Sequence, residues 1–329
     1  MDWTYRLRLR HLDILLSLAQ TGNLSQSARA LHSTQPALSK WLKELEADIG
    51  LPLFERHARG LRPTPYGQAL IEHAASITGH LDSARENMHA LLDGGSGRVA
   101  IGTSGVSATG VVPLAVTRLI GQLPRAQVRL TESTMDQLVP RLQQGELDIV
   151  VGRTMLGHAP SAESASQNKN GLRAETLYRD SINFVTGLKH PVAARRAIGW
   201  DDLLAYPWIV WPRGTPIRNA LEAALVTAGH SLPRHCVESN SVLLNLTLLA
   251  NSTLIGVASH RTAAHFAHLK LLRVLPTTFD SLGEVSMYWR ADENRQAVTL
   301  ALDCLRAASR AQEHVQAAPP AKSKARRDK

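Results

Sequence analysis

Gln35, Ser39, Lys40 and Lys43 share one face of the run at residues 33–50, STQPALSKWLKELEADIG. That face mixes short hydrogen-bonding groups with cations. A plain solvated helix face favours long Glu/Lys pairs, so this one suits close contact with a polar, negatively charged surface. Leu38, Trp41, Leu42, Leu45 and Ile49 recur at helical spacing on the other side and form an apolar stripe. Thr34 stands at an N-cap position, Pro36 falls in the first turn where a missing N–H costs nothing, and Gly50 ends the run. A second group of recognition residues lies at the ends of strand-like runs, where ligands of open α/β sheets bind. They are Ser104 in GTSG, Thr134 in ESTMD, Arg153 in VVGR, Trp211 and Arg213 in WPRGTPIR, and Asn240 and Ser241 in ESNS. Guanidinium groups beside helix starts, one of which Thr215 is placed to cap, favour a carboxylate or another anion. A neutral sugar held through Asn, Ser and Trp is the competing ligand, and each residue taken singly is equally a loop cap.

Catalytic chemistry finds little support. GRVAIGTSG has Gly97 and Gly102 at phosphate-loop spacing, but Thr103 stands where the lysine is needed. There is no GxSxG elbow. His260, His265 and His268 in HRTAAHFAH have no neighbouring cysteine or carboxylate to complete a zinc set. The expectation is no catalytic residue, no metal, no cofactor and no enzyme. Cys236 and Cys304 are far apart, without CxxC spacing, and read as reduced packing residues.

The elements that carry these residues read in two blocks. Leu12, Leu15, Leu16 and Ala19 form a first helical stripe closed by Gly22. Ser25 is placed to cap a short second helix through Leu31, with Ala28 and Leu31 inward, and HSTQ separates it from the helix described above. Two helices joined by so short a turn, the second with a polar face, make a helix-turn-helix pattern. LPLFERHARGLRPTP then predicts a hairpin wing carrying Arg56, Arg59 and Arg62. Arg59, beside Gly60, suits a narrow groove of a polyanion, whereas Arg56 could instead pair with Glu55 or Glu46. Thr64 and Pro65 start a helix running to Leu92. Leu70, Ala74, Ile77, Leu81, Ala84, Met88 and Leu91 along it are spaced alternately by four and three. That is either a pairing seam between two chains or a stripe packed on its own core. DGGSG reads as a hinge.

After the hinge, RVAIG, AQVRLTE and LDIVVG alternate with helix-like PLAVTRLIGQL and MDQLVPRLQQG, which predicts βαβ units and a parallel sheet. The polar stretch GHAPSAESASQNKNG marks a boundary. A second α/β unit follows to LIGVAS, then strands LKLLRVLP and EVSMYWR, then a final helix from about Asn294 to Arg310.

The 329 residues, 44% hydrophobic, suffice for two or three domains with substantial cores. No apolar run reaches the length of a membrane span, and no cleavage site follows the N-terminal stretch, so a cytoplasmic location without a membrane partner is expected. A net charge of +9 points to a polyanion. Part of it sits in AAPPAKSKARRDK, where five cations stand against Asp328. That tail reads as disordered, and either touches DNA non-specifically or serves solubility.

The whole layout resembles the LysR-type transcriptional regulators. The most specific stretch is ARALHSTQPALSKWLKELEADIGLPLFERHARGLRPTPYG, with looser similarity in GRVAIGTSG, LQQGELDIVVG, KHPVA and TLIGVAS. The resemblance implies a multidomain α and α/β protein. Residues 1–66 would be a winged helix-turn-helix and 67–97 a linker helix and hinge. Residues 98–314 would be an effector-binding domain resembling periplasmic binding proteins, with subdomains at about 98–165 plus 269–314 and at 166–268, and 315–329 a basic tail. It also implies a homodimer or homotetramer, double-stranded DNA and RNA polymerase as partners, and a small-molecule effector between the subdomains.

A helix of this kind enters the major groove with its N-terminal residues at base edges. Gln35 would pair with adenine, Pro36 or Ala37 would touch a thymine methyl, and Ser39 would donate or accept beside the Thr34 cap. Lys40 and Lys43 would reach guanine or phosphate, although Lys40 stands where many family members carry arginine, which weakens a bidentate reading of guanine. Ser25 and Gln26 would meet phosphates. The competing class is a solute-binding receptor without a DNA function, which would give no salt-dependent gel shift.

Overall fold

The computed structural model of the protein describes residues 3–57, 60–92, 97–154, 171–279 and 282–317. The chain divides into two units, one of Met1–His89 with Gln143–Glu146 and a second comprising Ala90–Leu142 and Leu147–Lys329. Arg59, most of the hinge, the polar loop at 161–170 and the basic tail beyond 317 lie outside the described residues.

In the first unit, α1 (Leu9–Thr21), α2 (Leu24–Ala30) and α3 (Gln35–Ile49) surround a core of Leu12, Leu15, Leu18, Leu42 and Leu45. Gly22 ends α1 in the left-handed region, with φ at 60°, and donates its N–H to Leu18 O at 2.9 Å. Its own carbonyl accepts the Leu61 N–H at 2.7 Å, tying helix to wing. The wing is an antiparallel hairpin of β1 (Phe54–His57) and β2 (Gly60–Pro63). At Gly60, φ is 127° and a Cβ would overlap the Gly22 carbonyl oxygen, so conformation and space both demand glycine. The cap of α2 is Asn23 rather than the expected Ser25. Asn23 Oδ1 accepts the N–H groups of Ser25 and Gln26 at 2.9 and 3.1 Å, which places Ser25 inside the first turn. Thr64 Oγ1 accepts the Gly67 N–H at 3.0 Å and starts α4 (Pro65–Leu92), which at 28 residues is about 42 Å long.

The second unit holds two five-stranded sheets. The first, in the order β4-β3-β5-β12-β6, contains β3 (Arg98–Thr103), β4 (Gln127–Glu132), β5 (Ile149–Thr154), β6 (Leu172–Asp180) and β12 (Gly283–Arg290). Its βαβ crossovers run through α5 (Val111–Gln122) and α6 (Met135–Gln143). The second, in the order β11-β7-β10-β8-β9, contains β7 (Ile182–Thr186), β8 (Trp208–Val210), β9 (Cys236–Glu238), β10 (Ile255–Ser259) and β11 (Arg273–Thr278). The helices α8 (Pro216–Thr227), α9 (Val242–Ala250) and α10 (His260–His268) belong to this sheet, with α7 (Trp200–Leu204) preceding β8. The last helix, α11 (Gln296–Ala317), returns to pack on α5 and β3 and runs further than expected from the sequence.

The chain passes between the sheets later than the expected positions near 165 and 269. LYRDSINFVT looks like one extended run. It breaks at Ser181, with β6 paired to β12 in the first sheet and β7 paired to β10 and β11 in the second. The return lies after Thr278, because β11 still pairs with β7. Extended residues on both sides of a crossing look alike in sequence, and the pairing partner decides the sheet.

Candidate functional site

The DNA-reading candidate is α3. Thr34 Oγ1 accepts the Ala37 N–H at 3.4 Å, and Pro36 lies in the first turn. Leu38, Leu42 and Leu45 are buried, which turns Gln35, Pro36, Lys40 and Lys43 outward, with Ser39 half-buried beside them. Lys40 Nζ lies 3.9 Å from Glu44 Oε1 one turn on. An exposed pair of this kind is worth only about 0.3–0.5 kcal/mol, so the ammonium is readily released to a stronger anion.

Arg56 does not take either ion-pair partner considered from the sequence. Glu46 Oε1 accepts the backbone N–H groups of Leu53 and Phe54 at 2.8 and 3.0 Å and fixes the start of the wing. Glu55 faces His57 Nε2 at 3.4 Å. The Arg56 guanidinium instead lies 3.5 Å from Ser39 Oγ, joining wing and recognition face. The side chains of Ser25 and Gln26 are exposed on α2, but their backbone N–H groups are engaged by Asn23. Only their side chains are therefore offered to a phosphate. Asn23 was legible: it precedes an apolar-periodic run, as an N-cap should.

In the second unit a cleft opens between the sheets. It brings together Ser104, Thr134 and Arg153 from the first sheet with Trp211 and Asn240 from the second. Ser104, Thr134, Trp211 and Asn240 sit just beyond a strand and Arg153 one residue before the end of β5, because parallel strands deliver their C-terminal ends to one side. Arg153 is 4% exposed, and its guanidinium rests on the backbone of Gly283, where a Cβ would come within 2.6 Å of it. Burial lowers its proton affinity and Asp180, equally buried, opposes that change. Burial also pushes the Asp180 carboxyl above the usual carboxylate range, against the pull of Arg153. Ser104 Oγ is buried at the cleft with no hydrogen-bond partner among the described residues.

Trp211 is fixed from two sides: its Nε1–H donates to Val257 O at 3.0 Å, and Arg218 Nη1 donates to its carbonyl at 3.1 Å. Arg213 is exposed and does not line the cleft. The buried guanidinium of this segment is Arg218, which also donates to Glu222 Oε1 at 2.6 Å. The i,i+4 spacing of Arg218 and Glu222 on a helix was the signal that distinguished the two arginines. Ser241 is taken up in capping α9, its Oγ accepting the Leu244 N–H at 3.3 Å. Thr215 occupies the N-cap position of α8, yet its hydroxyl donates to Pro212 O at 2.7 Å and does not cap the helix. It lines the cleft instead, as do Met135, Ile217 and Glu132, whose carboxyl burial raises. The cleft thus offers one buried cation, several hydroxyls, an amide and an apolar wall. That set suits a small organic molecule with an anionic end.

Among the described residues no cluster of metal-ligating side chains comes together. His260 Nδ1 meets Asn183 Oδ1 at 3.0 Å, and His265 lies against Phe266. No helix of the described residues is long and apolar enough to cross a membrane.

Two families match the chain: the bacterial regulatory helix-turn-helix protein, lysR family, over residues 9–68, and the LysR substrate binding domain over residues 92–310. The sequence is 32% identical to the HTH-type transcriptional regulator GbpR of Azospirillum brasilense, across 92% of this chain and 87% of that one. It is 27% identical to the HTH-type transcriptional regulator PcaQ of Agrobacterium fabrum, across 87% and 90%. The fold is similar to that of full-length CbnR in complex with its target DNA, with a TM-score of 0.62 at 19% identity over 92% of this chain and 100% of that one. These matches set aside the reading of the chain as a solute receptor without a DNA function. The protein belongs to the LysR family of DNA-binding transcriptional regulators, which are not enzymes and which join a helix-turn-helix to a substrate-binding domain.

Proposed function

We propose that α3 reads a specific duplex sequence and that the cleft takes a small organic acid which switches the regulator. On the DNA side, Gln35 and Ser39 act at base edges, with Thr34 and Pro36 at the entry. Lys40 and Lys43 engage guanine or phosphate. Arg56, Ser25 and Gln26 contact the backbone, with Arg59 assigned from the sequence to the groove beside the wing. The apolar stripe of α4 pairs two chains into a homodimer, with a homotetramer as the larger form. RNA polymerase is the machinery addressed, in the cytoplasm, and the basic tail adds salt-sensitive affinity for DNA.

The observation that carries the effector class is Arg153. It is a buried guanidinium lining the same cleft as the unpartnered Ser104 hydroxyl. A carboxylate there gives the Ser104 hydroxyl a partner and makes charge-assisted hydrogen bonds with the guanidinium. The ligand shifts the regulator only by binding one arrangement of the two sheets better than another. Lining groups on both sheets meet that condition, and footprint length is the expected readout.

The test is a thermal-shift screen of organic acids and neutral sugars on the full chain. Acids should raise the melting temperature of wild type and leave Arg153→Met unmoved, while Arg213→Ala responds like wild type. Stabilisation by sugars alone, undiminished in Arg153→Met, would overturn the acid assignment and favour recognition through Asn240, Thr134 and Trp211.

A further inference from the structure

The second sheet carries another cavity, distinct from the cleft. Trp208 and Val210 of β8 face the main core, and Ile209 between them faces α9 and α10. On that side a small space lies under α9. Its walls are Ile209, Leu246, Leu249, Phe266 and other hydrocarbon side chains, and Gly256 leaves part of the β10 floor bare. Two further polar side chains line it besides the Trp211 indole: Thr262 and Asn245. Thr262 Oγ1 is engaged, with Ser259 Oγ at 2.9 Å and Thr109 Oγ1 at 3.1 Å. Asn245 is different. Its Oδ1 is buried and has no hydrogen-bond partner among the described residues.

An unpaired amide oxygen in an apolar pocket is costly to maintain. It marks a place where a donor is missing. Among the described residues no cationic side chain lines the space, so an anion would lose its hydration without replacement. The space is narrow and holds no more than a single ring. We propose that this cavity is a second ligand site. It takes a neutral, apolar, single-ring molecule bearing one hydrogen-bond donor, of the phenol type, whose hydroxyl donates to Asn245 Oδ1. The site does not depend on the reading of the cleft as an effector site, but the two share a wall. Trp211 lines both. At Gly105 on the opposite side of the cleft, a Cβ would lie 2.8 Å from the Trp211 ring and 3.1 Å from Val242 of the second cavity. An occupant that displaces Trp211 or Val242 therefore alters the cleft, and each ligand changes the affinity for the other by the same factor.

The full-length protein is titrated by calorimetry with phenol, toluene and benzoate. Phenol is expected to bind saturably at one site per chain, toluene about tenfold more weakly for want of the hydrogen bond, and benzoate not at this site. Asn245→Leu should reverse the order of phenol and toluene. Ala258→Met, which fills the space, should abolish both, while Thr134→Val in the cleft leaves phenol binding intact. If Ala258→Met does not fold, the reversal in Asn245→Leu decides. Absence of saturable phenol binding, phenol and toluene binding alike in wild type, or loss of phenol binding in Thr134→Val would each overturn the proposal.

Discussion

Residues at strand ends were legible because topology fixes where strand ends go. Ser104, Thr134, Arg153, Trp211 and Asn240 were read from that rule alone and line one cleft. Arg213 and Ser241 lie a residue or two from lining positions and do not contribute, because the turn before α8 and the cap of α9 direct their side chains elsewhere. Such local direction is set by turn geometry, which type and spacing do not encode. His11 illustrates a role the sequence hid. It packs on the Trp41 ring, with centroids 5.1 Å apart, and its Nδ1 accepts the Arg8 N–H at 3.1 Å. Burial, with Arg10 and Arg8 adding to it, lowers its pKa below 6.5. The fold prefers the neutral ring, so the unfolded chain binds more protons just below that value. The His11 contribution is complete above pH 6.5 and is lost as pH falls through the lowered pKa. The stability advantage of wild type over His11→Gln, read from urea midpoints, should shrink between pH 7 and pH 5. A difference constant with pH would remove this role.

At the scale of elements, capping and packing separate what the pattern suggests from what it determines. Asn23→Ala should cost about 1 kcal/mol by removing the cap of α2, whereas Ser25→Ala should stay within about 0.5 kcal/mol in urea unfolding. The opposite order would restore Ser25 as the cap. The stripe on α4 differs between its two ends. Ala74 is buried in the first unit's own core and Leu70 packs against it, whereas Ile77, Leu81 and Met88 are 43%, 45% and 58% exposed. An apolar strip left open at heptad spacing is what the proposed pairing of two chains requires. Replacing Ile77 and Leu81 by glutamate should therefore give monomers in light scattering with weakened DNA binding. Native assembly in that double variant would take the seam out of the account. The crossings between the sheets were misplaced for a related reason: β6 and β7 are continuous in the sequence, and only long-range pairing separates them.

For the whole molecule, the order of helices, wing, long helix and two α/β halves was legible, because hydrophobic period changes at each boundary. The identity of the effector was not, since one buried arginine and a set of hydroxyls fit many small molecules. The claim on which the rest depends is that the exposed face of α3 reads sequence. It is tested most directly by selecting binding sites from a randomised duplex library with wild type and with Gln35→Ala, Ser39→Ala and Lys43→Ala. Wild type should enrich one pseudo-palindromic motif, as two-fold symmetry requires. Gln35→Ala and Ser39→Ala should each relax preference at a defined position in every half-site, by about 1–3 kcal/mol, while Lys43→Ala weakens all sequences alike and lowers the salt dependence by about one charge. Recovery of the same motif at the same strength by all three variants would contradict the assignment of α3 as the reading helix.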